Sequence, residues 1–208
     1  AGETLLDSYS PERRGATLDV FANATKSTRF MTPPTRGHRL VREAVLSLAL
    51  TEDFARGFAN PRQMQPYTYG QSPLTPFAGR DAEFDAGPVS GAALANVRLA
   101  DGFLSDHLGD GFTALIFADG AVPADIAALV ASLAAREPRF RAVVVGGTLE
   151  HPCAVPIADP AGRLANAYGA VPGTLYLVRP DLHVAGRWRQ AVPAEVLITL
   201  CVGLGRPQ

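Results

Sequence analysis

The apolar positions at the start of the chain recur with the period of a helix. Across residues 4–59 they form two stripes, one through Leu18, Phe21, Ala22 and Thr25, the other through Leu40, Val41, Ala44, Val45, Leu48 and Ala49. Ser10 followed by Pro11 predicts that the first helix begins there with serine as its N-cap. Pro33-Pro34 separates the two helices, because proline has no N–H to donate. We therefore predict a helical segment for residues 1–60.

The middle of the chain, residues 61–100, has the composition of a loop, with proline and glycine recurring to about residue 92. A loop of this length usually serves a function or crosses a neighbouring domain. We predict that it connects two folded parts. Its aromatic residues Tyr67 and Tyr69 are interpreted as packing residues, since a buried ring contributes heavily to an interface.

The last part, residues 101–208, alternates between strand and helix patterns. Strands are predicted at residues 111–118, 141–145, 174–178 and 183–188, and helices at residues 124–137, 159–168 and 193–204. This order predicts an α/β sandwich, in the order of a thioredoxin fold. A redox-active protein of that fold needs Cys-x-x-Cys after its first long strand, and residues 119–124 contain no cysteine. The predicted fold is a thioredoxin-like α/β sandwich that lacks CxxC.

Pro172 precedes the predicted hairpin, where thioredoxin-fold proteins usually place a cis-proline. The sequence leaves the cis and trans forms open, because an X–Pro bond has only a small trans preference. As such a cis-proline, Pro172 is expected to face Ala121, Val122 and Pro123 in a structural role, and the alternative is an ordinary trans proline of a turn.

Composition and charge exclude several classes of protein. The formal net charge of -1 removes the electrostatic basis for nucleic-acid or anionic-membrane binding, and 47% apolar residues exclude bulk disorder. The apolar runs are too short to span a bilayer, so we expect a cytoplasmic protein. Two cysteines cannot build a disulfide scaffold or a four-thiolate zinc site.

The chain also lacks the motifs of common catalytic sites. It contains no GxxxxGK[ST] loop and no GxSxG elbow. His151 and Cys153 stand two residues apart, but zinc needs three or four ligands and no second cluster follows. We predict no catalytic, cofactor-binding or metal-ligating residue in this chain.

Three stretches of the chain resemble the C-terminal part of a known family. Residues 5–14 resemble the segment that follows the second FAD-binding motif of flavoprotein aromatic-ring monooxygenases of the phenol hydroxylase type. Residues 65–74 resemble the Tyr-x-x-Ser-Pro-Leu stretch of that family, matched at Tyr69, Ser72, Pro73 and Leu74. Residues 99–113, 168–170 and 177–181 resemble its thioredoxin-like tail. The three stretches cover nearly the whole chain in the family's order.

The resemblance implies that the intact protein hydroxylates an aromatic substrate with FAD, NAD(P)H and O₂. This chain would be its non-catalytic part, a structural and dimer-forming piece that packs on a missing N-terminal FAD and substrate domain. Tyr67, Tyr69, Ser72, Pro73 and Pro172 are its candidate structural or interface residues. The start Ala1-Gly2, without an initiator methionine, agrees with a piece of a longer chain. The alternative is a free-standing, redox-inactive thioredoxin-like module that binds proteins.

Overall fold

The computed structural model of the chain describes residues 3–59 and 66–206. Their contacts form two compact units. One unit combines residues 1–12 with residues 68–208, and the other comprises residues 13–67. The loop that follows Tyr67 is therefore part of the α/β unit, while the domain boundaries predicted at residues 60 and 100 stay predictions.

Helices account for nearly all of the described N-terminal residues, as the stripes predict. They are α1 (Glu3–Asp7), α2 (Tyr9–Met31), α3 (Arg36–Leu48) and α4 (Asp53–Ala59). The interruption at Pro33-Pro34 is confirmed, and Thr35 caps α3 by accepting a hydrogen bond from the backbone N–H of His38 at 3.3 Å. None of the helices in the described ranges is long and apolar enough to cross a membrane.

The predicted helix start at Ser10 is wrong. The helix α2 begins at Tyr9, so Ser10 lies inside it. The turn between α1 and α2 is at Ser8, whose hydroxyl donates to the carbonyl of Leu5 at 2.7 Å. The carbonyl of Ser8 also accepts from the backbone N–H of Glu12 at 3.2 Å. Ser8 rather than Ser10 therefore satisfies the polar groups at this point.

The α/β unit is built on a five-stranded mixed sheet. Its elements are β1 (Thr113–Ala121), α5 (Ala124–Arg136), β2 (Arg141–Thr148), β3 (Ala154–Ile157), α6 (Arg163–Tyr168), β4 (Leu175–Val178), β5 (Val184–Trp188) and α7 (Pro193–Gly203). The strand order is β3-β2-β1-β4-β5. The first three strands in the chain run parallel, and the hairpin of β4 and β5 joins β1 in antiparallel orientation.

The α/β class is confirmed. The strand–helix–strand unit followed by an antiparallel hairpin and a closing helix supports the finer assignment to a thioredoxin fold, which stays a prediction. The sequence pattern missed β3, a four-residue edge strand with Pro156 inside it. It also ended β2 at Gly146-Gly147, although the strand continues to Thr148.

Both faces of the sheet are covered. On one face α5 and α7 enclose an apolar core that includes Trp188, Val130 and Leu200, all fully buried. On the other face α6 and the preceding loop enclose a second core around Tyr168 and Tyr176. Two short 3₁₀-helices, Ala78–Glu83 and Leu104–His107, lie in the loop region before β1.

The loop before β1 runs alongside β5 and shields its outer edge. Gly91 donates its N–H to the carbonyl of Val184 at 2.8 Å, and Val184 donates back to Ala92 at 2.9 Å. Gly91 has a φ of +80°, and a Cβ there would collide with the carbonyl of Tyr69. Both the positive φ and the lack of space for a Cβ require glycine at this position. The backbone hydrogen bonds of Gly91 and Ala92 to Val184 cover a sheet edge that would otherwise be open.

Candidate functional site

The most developed polar site of the α/β unit is built around a buried ion pair. Arg179, just after β4, donates to both carboxylate oxygens of Glu12, with Nη1 to Oε1 at 2.6 Å and Nη2 to Oε2 at 3.2 Å. The hydroxyl of Ser72 donates to the same carboxylate and accepts from the backbone N–H of Leu74 at 3.0 Å. Glu12 and Ser72 are both buried. A bidentate arginine–carboxylate pair has strict geometry, so it fixes the first turn of α2 against the β4–β5 hairpin.

The site extends into the hairpin turn. Arg179 also donates to Asp181 at 2.8 Å, and Asp181 accepts from the backbone N–H of His183 at 3.2 Å. The His183 ring lies 4.8 Å from the ring of Tyr69, centroid to centroid, and the Arg179 guanidinium lies 5.9 Å from that ring. We call Glu12, Ser72, Arg179, Asp181 and His183 the clasp, because they join three distant parts of the sequence.

Interactions within the clasp shift the pKa values of two of its side chains, His183 and Asp181. His183 donates a hydrogen bond to the Asp181 carboxylate, which raises the pKa of His183 above its ordinary value. Burial alone would raise the pKa of Asp181, but the hydrogen bond to His183 and the charge of Arg179 outweigh it and lower that pKa to about 2. Both shifts favour the charged forms, so the clasp is most stable when the carboxylate and the imidazolium are both present.

These shifts predict how stability depends on pH. Because the folded pKa of His183 is raised, its contribution is complete below about pH 6.5 and is lost as the pH rises through the folded value. We expect Tm of the wild type to fall relative to a His183→Gln variant between about pH 6 and 8, measured by thermal denaturation in matched buffers. A difference that stays constant over this range would show that the histidine is not linked to folding.

A second buried pair holds the loop against β5. The Arg187 side chain is only 3% exposed, and its Nε donates to Asp81 at 2.5 Å. Its Nη1 donates to the carbonyl of Ala86 at 2.9 Å, and the guanidinium lies 4.3 Å from the centroid of the Phe84 ring. Asp81 in turn accepts from the backbone N–H of Ser90 at 3.1 Å. A buried arginine needs such partners, since an unpaired buried charge is costly.

Two tyrosines complete this second network. The hydroxyl of Tyr176 donates to the carbonyl of Tyr168 at 2.6 Å, and the hydroxyl of Tyr168 donates to the carbonyl of Ala95 at 2.7 Å. Burial raises the pKa of both phenols, in Tyr176 despite the neighbouring Arg187. Both therefore stay neutral donors that tie the loop to the sheet, and neither is suited to act as a base.

A third set of contacts fixes the closing helix. Glu195, in the first turn of α7, accepts from the indole N–H of Trp188 at 2.8 Å and from Arg80 Nη2 at 2.6 Å. The hydrogen bond from Arg80 lowers the pKa of Glu195. The carboxylate also lies at a helix N-terminus, where negative charge is favourable. The Glu195 carboxylate thus connects α7 to Trp188 of β5 and to Arg80 of the loop before β1.

The structure places the predicted site residues in three different settings. Tyr69 and Ser72 are buried beside or within the clasp, whereas Pro73 is exposed. Tyr67 is half-buried in the helical unit, where its hydroxyl lies so close to Gly15 that any Cβ there would collide with it. That these residues have structural or interface roles stays a prediction.

Pro172 lines an open cleft of about 360 Å³ at the end of β1, together with Ala121 and Pro123. Asp119 and Gln190 contribute polar groups to its wall. The bond before Pro172 is trans, as is every peptide bond in the described residues. Of the two forms that the sequence left open for Pro172, the structure has the trans form.

Neither cysteine forms a disulfide. Both are half-buried, and Nδ1 of His151 lies 3.0 Å from Sγ of Cys153. Burial nonetheless raises the pKa of the Cys153 thiol. A raised pKa leaves little thiolate near neutral pH, and the thiolate is the nucleophilic form.

Apart from Ser72, the residues that hold the site together were missed by sequence reasoning, and one of them, Arg187, carried a signal. Arg187 interrupts the apolar strand Val184–Trp188, and a charged residue in a buried strand requires a partner. The partners themselves lie far away in sequence. Asp81 is 106 positions from Arg187, and Glu12 is 167 positions from Arg179. Only the fold brings them together.

Among the described residues, no group of three or more His, Cys, Asp or Glu side chains could hold a metal ion. FAD is not accommodated at the two long helices of the α/β unit within the described ranges: α5 follows Val122-Pro123 and α7 begins at Pro193, and neither has before it a glycine-rich loop that could cradle a pyrophosphate.

Solved structures of flavin-dependent monooxygenases share the fold of this chain, as the resemblance predicts. The flavin-dependent monooxygenase PieE, solved with FAD and substrate, superimposes with a TM-score of 0.63 at 23% identity, covering 100% of this chain and 41% of its own. Aklavinone-11 hydroxylase, solved with FAD and aklavinone, gives 0.65 at 26% identity, covering 99% and 36%. The rebeccamycin biosynthetic enzyme RebC with reduced flavin gives 0.63 at 22% identity, covering 100% and 37%.

The chain therefore has the fold of one portion of these enzymes and spans about two-fifths of their length. No family model and no curated protein matches it. The resemblance to flavoprotein aromatic monooxygenases is confirmed at the level of the fold.

Proposed function

We propose that this chain is the C-terminal, non-catalytic portion of a flavoprotein monooxygenase that hydroxylates an aromatic substrate with FAD, NAD(P)H and O₂. The observation that carries the proposal is the match of 99–100% of the chain to enzymes solved with FAD or reduced flavin. The order of the three sequence stretches supports the C-terminal position. FAD would be bound by the upstream domain, which would contain the flavin-binding motifs and the substrate pocket.

Within that protein the role of the chain is structural. The clasp and the Arg187–Asp81 pair hold the loop and the first turn of α2 on the sheet, which gives a rigid body that an upstream domain can pack against. We also propose that it contributes to a homodimer in the cytoplasm. The thiol chemistry of a redox-active thioredoxin would be absent, since residues 119–124 hold no cysteine and burial raises the pKa of Cys153.

The alternative, a free-standing module that binds proteins, is favoured by one observation. The cleft beside Pro172 lies where the predicted thioredoxin fold would carry its active site, and it is open to solvent. This alternative leaves unexplained why the match to the monooxygenases continues through the helices α1 to α4. We therefore rank it second.

The proposal predicts that the 208-residue chain alone binds no flavin. The physical reason is that a dinucleotide needs backbone N–H groups converging on its phosphates, and the described helices with eight or more residues offer no such loop. FAD fluorescence titrated with the purified chain should show no saturable quenching, whereas the longer protein should bind it. Saturable binding to the chain at micromolar concentration would overturn the assignment of FAD to the upstream domain.

A further inference from the structure

Helix α3 exposes the more apolar of its two sides. Its half-buried residues Arg42, Val45 and Ala49 lie along one line of the helix, three and four positions apart. Leu40, Ala44 and Leu48 follow one another at intervals of four on the other side, next to Val41, and all four are exposed. Leu40 is 57% exposed and Val41 62% exposed. A helix of a self-sufficient globular unit shows the reverse pattern.

Helix α4 repeats this inversion. It buries Ala55 and half-buries Ala59, and exposes Phe54 to 65% and Phe58 to 71%. The two phenylalanines are four positions apart and therefore lie on the same side of the helix. Helices α3 and α4 pack against each other within the helical unit. In both helices the covered positions include alanines, while large apolar side chains are exposed.

We propose that Leu40, Val41, Leu48, Phe54 and Phe58, here called the outer face, dock onto the upstream domain of the same polypeptide. The inference rests on the proposed function. A group of five exposed large apolar side chains marks an interaction site. The structural neighbours indicate an occupant of sufficient size, since this chain covers less than half of each of their chains. Because the upstream domain is covalently attached, its contact with the outer face is intramolecular. The apolar side chains would therefore be covered whenever the polypeptide is folded.

The test compares solvent exposure in the 208-residue chain and in the full-length protein translated from its reading frame. Hydroxyl-radical labelling, read by mass spectrometry, reports side-chain exposure directly. We expect Phe54 and Phe58 to be labelled roughly fivefold less in the full-length protein, as for residues in the core of an interface. A Leu40→Asp substitution should restore their labelling, since it places a charge in a dry contact.

The matched control is Leu46→Asp, because Leu46 is 49% exposed on the same helix but lies away from the outer face. It should leave the protection unchanged. Flavin content of the same full-length sample separates the two proposals. A flavin-bearing protein whose outer face is labelled as strongly as in the 208-residue chain overturns the docking proposal and leaves the proposed function standing. A full-length protein that holds no flavin overturns the proposed function.

Two other occupants would also overturn the proposal. Protection that appears in the 208-residue chain as it forms dimers, followed by light scattering, would assign the face to a second copy. Protection of the full-length protein that appears only with phosphatidylserine vesicles would assign it to a membrane surface.

Discussion

Replacing Arg187 with methionine is expected to destabilise the α/β unit by about 3–5 kcal/mol, the range found when one partner of a buried ion pair is removed. The substitution leaves the Asp81 carboxylate without its guanidinium and frees the carbonyls of Ala86 and Gly87. Fluorescence of Trp188, the single tryptophan and fully buried in this unit, reports its unfolding in urea. The effect should appear as a lower midpoint at a similar slope.

Arg189→Met is the matched control for this experiment. Arg189 is two positions further along and half-buried, and its loss should change stability by less than about 0.5 kcal/mol. The double variant Arg187→Met with Asp81→Asn should recover part of the loss, because it removes the uncompensated charge. Equal effects of the two arginine substitutions would show that the Arg187–Asp81 pair does not hold the loop.

The second large effect is expected at the clasp. Glu12→Ala should cost about 3 kcal/mol, because it leaves the Arg179 guanidinium buried with Asp181 as its remaining carboxylate partner. A double-mutant cycle with Arg179→Ala should give a coupling energy of about 1–3 kcal/mol. The same tryptophan fluorescence measures it.

Glu43→Ala provides the comparison for the clasp. Glu43 is exposed and lies 4.0 Å from Arg42, a surface pair whose removal should change stability by less than about 1 kcal/mol. Additive effects of Glu12→Ala and Arg179→Ala, with no coupling, would contradict the buried pair. They would also remove the reason for placing the first turn of α2 in the α/β unit.

The elements were predictable wherever a local pattern determines them. The break at Pro33-Pro34 follows from backbone chemistry, and Gly169 ends α6 in the left-handed conformation with a φ of 56°. The edge strand β3 was not predictable, since its four residues include Pro156. Local signals also misplaced the start of α2, because Ser8 and Ser10 are equally good caps in sequence.

The site was far less predictable than the elements. Tyr69 and Ser72 were singled out, but their partners Arg179 and Glu12 become neighbours only in the folded chain. The loop was expected to connect two folded parts, but the backbone contacts by which it covers the edge of β5 were not foreseen. The two predicted stripes lie within α2 and α3, yet nothing in the sequence indicated that most of their residues would be exposed. Each of these outcomes depends on contacts between residues distant in the chain.

The central claim, that this chain is part of a flavin-dependent monooxygenase, is tested most directly by the flavin content of the polypeptide as its source cells make it. Antibodies raised against the 208-residue chain would capture that polypeptide, and denaturing electrophoresis with absorption spectroscopy of the released cofactor would give its size and its flavin-to-protein ratio. The account predicts a polypeptide more than twice as long, since the chain covers 36–41% of its structural neighbours, with about one FAD per polypeptide. A colourless polypeptide of 21.9 kDa would contradict it.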